Sequence, residues 1–214
     1  MHVIALISQK GGVGKSTLAG HLAVEAESRR DGPVALIDTD PQGSLSAWWN
    51  VRGAETPVFV RGDLAKLKTQ LKQLAGQGIE LVMIDTPPAI TDNIKAVAHV
   101  SDLVIIPTRP SPHDLRAVGA TVDLVESTKK PMLFIVNGAA NRARITGDAA
   151  VALSQHGTVS PVTIFQRVDF AVSMIDGRTA GELDPKSKSA SEITELWSYV
   201  KARLRKHVKE SVHA

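Results

Sequence analysis

Residues 2–30, HVIALISQKGGVGKSTLAGHLAVEAESRR, constrain this chain more than any other stretch. HVIALIS is a short β-branched run suited to a buried strand, and residues 16–30 carry apolar side chains at helical spacing. Between them stand Gly11, Gly12 and Gly14, then Lys15 and Ser16. Strand, glycine loop and helix in that order form a phosphate-binding unit. The loop N–H groups and the positive helix end face the anion, Lys15 reaches its oxygens, and the Ser16 hydroxyl suits Mg²⁺. The consensus G-x-x-x-x-G-K-[ST] is only half met, because Gln9 stands where the first glycine belongs. A second lysine, Lys10, precedes the glycines, although one lysine is enough to hold a phosphate.

Downstream, strand-like runs at 33–38, 57–60, 80–85, 102–108, 131–137 and 160–165 alternate with amphipathic segments around 63–75, 92–99, 111–127 and 146–156. Continuous apolar strands separated by helices predict a single α/β domain over residues 1–214. Its sheet is doubly wound, mostly parallel and covered by helices on both faces. With 214 residues, 43% of them hydrophobic, the chain can build one substantial core. There are no cysteines, which excludes disulfides, thiolate metal sites and cysteine-ligated iron–sulfur clusters. No run reaches a membrane span of ~20 apolar residues, and the first strand begins at once, so a cytoplasmic protein is expected.

In such a sheet, ligands gather at the carboxyl ends of the strands. ALIDTDPQGS (35–44) closes a strand with Asp38 and Asp40, and LVMIDTPP (81–88) closes another with Asp85. The three carboxylates are expected to converge on the glycine loop, where a strand-ending aspartate supports Mg²⁺ in a nucleotide hydrolase. Any one of them alone serves equally well as a helix N-cap.

Lys10-Gly11-Gly12-Val13-Gly14-Lys15-Ser16, DTDPQGS and IDTPP together resemble the deviant Walker A, second acidic and Walker B motifs of the ParA/MinD ATPases. RPSPHDLRAV (109–118) and residues 165–193 extend the likeness toward small plasmid-type partition proteins. This resemblance implies a P-loop fold of the deviant Walker A class and slow, partner-stimulated hydrolysis of ATP with Mg²⁺. Gly11, Gly12, Val13, Gly14, Lys15, Ser16 and Thr17 would hold the phosphates, with Ser16, Asp38 and Asp85 around the metal. It further implies that Lys10 crosses an ATP-dependent homodimer interface to the partner's phosphates, and that Asp40 positions the attacking water. Asn137, which ends a central strand, is the candidate adenine reader beside Arg167 and Asp169; a turn residue is the other reading of Asn137.

The last segment predicts a basic helix over about 188–209. Leu196, Trp197, Val200 and Leu204 share one face, while Lys201, Arg203, Arg205, Lys206 and Lys209 occupy the other. With Lys186 and Lys188, this surface suits non-specific DNA, giving a nucleoid-associated protein. A docking helix with a merely solvated outer face is the plain alternative. The family resemblance adds an adaptor that binds a centromere or another cargo and stimulates the ATPase. Its relatives leave two other roles open, a MinD-like scaffold on a membrane surface and the positioning of chemoreceptors or microcompartments. The polar ESVHA ending makes a lipid anchor the poorer fit.

Overall fold

The computed structural model describes residues 1–212, with side chains through Arg205. Six strands form the body of the sheet: β1 (His2–Leu6), β2 (Val34–Asp38), β3 (Val58–Arg61), β4 (Leu81–Asp85), β5 (Leu103–Thr108) and β6 (Met132–Ala139). Two short strands, β7 (Thr158–Val159) and β8 (Ile164–Phe165), each pair with β6. The order is β3-β2-β4-β1-β5-β6-β7, and every pairing is parallel. The register sets Leu6 opposite Asp85 and Asp85 opposite Asp38. The strand that launches the glycine loop therefore ends level with both acid-tipped strands.

Side chains alternate across each strand, as the pleat requires. In β1, Val3 and Ala5 enter one core layer and Ile4 and Leu6 the other. The first layer packs under α3 (Leu67–Gly76), α4 (Asp92–Val100), α5 (Pro112–Glu126) and α6 (Arg144–Ser154). The second is covered by α1 (Lys15–Ser28), α2 (Ser44–Asn50) and α9 (Lys188–Val212). The short α7 (Val168–Asp176) and α8 (Ala180–Leu183) bridge toward α9.

The expected strand at 160–165 is instead two fragments around Pro161, where Val162 N–H donates to the Ser160 hydroxyl at 3.0 Å. Proline cannot donate to a ladder, and the chain turns out of the sheet. The helix expected from 63 begins at Leu67, because Asp63 builds a turn by accepting from Ala65 N–H at 2.9 Å.

The basic helix α9 forms over the expected span and crosses the molecule. Near its start Glu192 accepts from Phe165 N–H and from Arg167, at the carboxyl side of the sheet. Further along, Trp197 Nε1 donates to Asp31 at 2.9 Å and Arg203 to Thr158 at 3.1 Å, beside the amino ends of β2 and β7.

Candidate active site

The glycine loop closes on left-handed backbone at Gly12 (φ 71°) and Gly14 (φ 92°). A Cβ at Gly14 would stand 2.3 Å from the Asn137 amide nitrogen, so position 14 excludes any side chain. Helix α1 starts at Lys15 with no acidic residue in its first turn and no side-chain cap. Its free N–H groups and positive dipole end are left for an anion.

Lys15 is buried, and its ammonium donates to the Lys10 carbonyl at 3.4 Å. Burial holds its pKa below the usual lysine range, with the charges of Asp85 and Asp40 opposing. Lys10 itself is exposed on the loop. The Ser16 hydroxyl donates to Asp85 Oδ2 at 2.5 Å, while Asp85 Oδ1 is buried with no partner among the described residues. Burial pushes the Asp85 carboxyl up to about 7; the Ser16 hydrogen bond opposes this and the neighbouring Asp38 adds to it.

Asp38 and Asp40 stand two residues apart and do different things. Asp38 is wholly buried, with Oδ1 accepting from Asp40 N–H at 3.0 Å and Oδ2 from Ser46 N–H at 2.9 Å and its hydroxyl at 2.5 Å. Those bonds occupy it in shaping the turn that carries Asp40. Asp40 accepts from Gln42 N–H at 2.9 Å and lines a cavity of about 440 Å³ with Gly11, Gly12, Lys15 and Ser16. The three carboxylates thus reach one end of the sheet without forming a chelating set. Among the described residues, no group of three or more His, Cys, Asp or Glu side chains could hold a metal by itself.

A second cavity of about 260 Å³ adjoins the first, with Leu18, Ile164, Phe165, Phe170 and Met174 as apolar wall. Its size and lining suit a flat heteroaromatic ring. Asn137 lies on its rim with the amide donating to Val13 O at 2.6 Å, which ties β6 to the loop. Arg167 is held by Glu192 at 2.5 Å, 5.5 Å from the Phe165 ring centre, so its charge is largely spent within the wall. Asp169 accepts from the Ser189 hydroxyl at 2.5 Å and serves as a tether to α9.

The proposed outward basic face is corrected by the packing of α9. Lys201 pairs with Asp31, and Arg203 reaches Thr158 with its Nε buried, because both residues flank the edge of the sheet on which the helix lies. Arg205 is exposed; the side chains of Lys206 and Lys209 lie outside the described residues. Lys186 and Lys188 are exposed at the opposite end of the helix, about 25 Å away at 1.5 Å per residue, so they do not extend that patch.

Two residues were missed. Arg109 follows β5 and lines both cavities; a cation directly after a strand end was the available clue. His21 is fully buried nearly two turns into α1, with Nδ1 2.8 Å from Thr17 O and Nε2 accepting from Ala180 N–H at 3.1 Å. A lone histidine inside an apolar helix gives no such clue.

Residues 4–191 match the model of the CobQ/CobB/MinD/ParA nucleotide binding domain. The chain is 28% identical over 198 residues to maintenance of carboxysome distribution protein A of Halothiobacillus neapolitanus, covering 88% of this chain and 91% of that protein. It is 27% identical over 240 residues to the chromosome-partitioning ATPase Soj of Thermus thermophilus, covering 94% and 96%. Among solved structures, the septum site-determining protein MinD of Pyrococcus horikoshii with Mg-ADP superposes with a TM-score of 0.74 at 19% identity, over 93% and 95% of the two chains. The chain belongs to the CobQ/CobB/MinD/ParA nucleotide binding domain family and is an ATPase of the ParA/MinD type.

Proposed function

We propose that this ATPase is a positioning switch: ATP and Mg²⁺ close a homodimer, the dimer holds non-specific DNA on the nucleoid, and a cargo-bound adaptor stimulates slow hydrolysis. The observation that carries this reading is the pair of lysines on one glycine loop, Lys15 buried in the cavity and Lys10 exposed at its mouth. Lys15 and the open N–H groups of α1 hold the terminal phosphates, and exposed Lys10 is free to reach those of a second subunit. Asp40, whose carboxylate faces the same cavity as Lys15 and Ser16, orients the attacking water.

The residues fit Mg²⁺. Ser16 and the unpartnered buried Asp85 Oδ1 are hard oxygen donors, and the absence of a full protein cage suits an ion that keeps waters and phosphate oxygens. When bound, it supplies charge neutralisation to the phosphates. Ser16 and Asp85 would hold it; Asp38 supports the turn instead.

An apolar stripe on α7 supports pairing on this side of the molecule. Val168 and Ile175 are each 74% exposed, and the same helix lines the second cavity through Phe170 and Met174. For DNA, exposed Arg205 and the sequence-adjacent Lys206 remain the candidates.

Two cargo classes are supported equally, a plasmid or chromosome and a protein microcompartment, because the relatives include both Soj and the carboxysome distribution protein. A MinD-like lipid surface is disfavoured, since the apolar face of α9 (Ile193, Leu196, Trp197, Val200, Leu204) is buried in the core. Among the described residues no helix is long and apolar enough to cross a membrane. Co-sedimentation with plasmid DNA or with anionic liposomes, each with ATP and Mg²⁺, tests the reading. ATP-dependent recovery with DNA alone is expected; recovery with liposomes alone would overturn it.

A further inference from the structure

The two cavities are separate volumes that share Gly14, Thr17, Arg109 and Met174, and among the described residues Arg109 is the only charged side chain lining both. One cavity ends at the glycine loop, where terminal phosphates are held; the other is the apolar slot that fits a base. In a nucleoside triphosphate the atoms between those ends are the ribose and the α-phosphate. We infer that Arg109 is a nucleotide-binding residue whose guanidinium grips the α-phosphate and so selects nucleotides over nucleosides. This inference rests on the ATPase reading above and assigns that site a contact of its own.

The placement of Arg109 follows from the fold. β5 lies beside β1 with Leu6 opposite Ile105, so the chain leaving β5 at Thr108 runs next to the start of the glycine loop. Pro110 restricts residue 109 to extended backbone, and Ser111 caps α5 by accepting from Asp114 N–H at 3.1 Å. The side chain also packs on Gly138 at the end of β6, within 3.7 Å of the place a Cβ would occupy. Arg109 is thus held between a buried strand, a capped helix and a glycine, which restricts where its charge can go.

Its charge is also available. Arg109 is exposed and makes no salt bridge among the described residues, whereas Arg167, on the rim of the same slot, is paired with Glu192. Lys15 already serves the far end of the phosphate chain. A planar guanidinium presents two parallel N–H donors to a phosphate, a bidentate match that neither a hydroxyl nor a lysine ammonium reproduces.

The test is a displacement titration of a fluorescent ADP by ATP, ADP and AMP, on the wild type, Arg109→Ala and Arg109→Lys. Arg109→Ala is expected to weaken all three nucleotides by a similar factor, on the order of 10-fold or more, with Arg109→Lys intermediate. Equal affinities in wild type and Arg109→Ala would overturn the inference. So would a loss confined to ATP, which would put the guanidinium on the γ-phosphate. Should either variant show a lower melting temperature, adenosine, which carries no phosphate, decides: an unchanged adenosine affinity beside weakened nucleotides upholds the inference, and an equal loss for adenosine overturns it. A wild type that binds none of them would overturn the ATPase reading itself.

Discussion

At the scale of single residues, Asp38 and Asp40 show how two equal carboxylates acquire separate tasks. Asp38 accepts three hydrogen bonds and holds a turn; Asp40, at the end of that turn, faces the phosphate cavity. Asp40→Ala is therefore expected to retain nucleotide binding and to lose ATP hydrolysis, read as phosphate release under saturating ATP. Lys15→Ala is expected to lose nucleotide binding itself, by the same fluorescent displacement. His21 gives a pH dependence whose sign follows from its environment. Ala180 N–H can only donate, so Nε2 must accept and Nδ1 carries the proton toward Thr17 O; the neutral ring is the one that fits. Burial lowers its pKa to about 4. Between that value and the ordinary 6.5, the unfolded chain binds a proton that the fold refuses, so stability falls as pH drops through this window. Over the whole window the loss amounts to about 3 kcal/mol. Melting temperatures of His21→Gln against pH should show a flatter slope there than wild type. The Asp pair and the lysines were legible in the sequence because local spacing encodes them. The Arg167–Glu192 and Lys201–Asp31 pairs were not, since they join residues 25 and 170 positions apart and leave no local pattern.

At the scale of elements, the six main strands were legible because parallel strands buried on both faces read as unbroken apolar runs. The helices α2 and α7 were missed for the opposite reason. Each is under three turns, and α2 is entered through left-handed Gly43, a cue that also marks a plain turn. Helix α7 carries the exposed stripe beside the nucleotide site. Ile175→Asp is expected to leave nucleotide affinity unchanged and to abolish ATP-dependent dimerisation, measured by light scattering. In α9 the apolar face was legible from helical spacing, whereas the basic face was overstated because Lys201 and Arg203 find partners on the body of the fold. Lys201→Ala should cost about 1 kcal/mol of stability through the lost Asp31 pair, with little effect on DNA affinity. Arg205→Glu should do the reverse. Removing about one phosphate contact per subunit lowers the log–log salt slope of the dimer by about 2.

At the scale of the whole molecule, the nucleotide cavities sit at the carboxyl edge of the sheet and the basic end of α9 at the amino edge. In the proposed switch, nucleotide and DNA would therefore not compete for the same side chains, and ATP would act on DNA through dimerisation by doubling the contacts that bind together. That account depends on a dimer that forms when ATP is bound and persists when hydrolysis is blocked. Light scattering of Asp40→Ala with ATP and Mg²⁺, and again without nucleotide, tests it most directly. The predicted result is twice the chain mass with ATP and a single chain mass without it; a mass that ignores ATP would contradict the account.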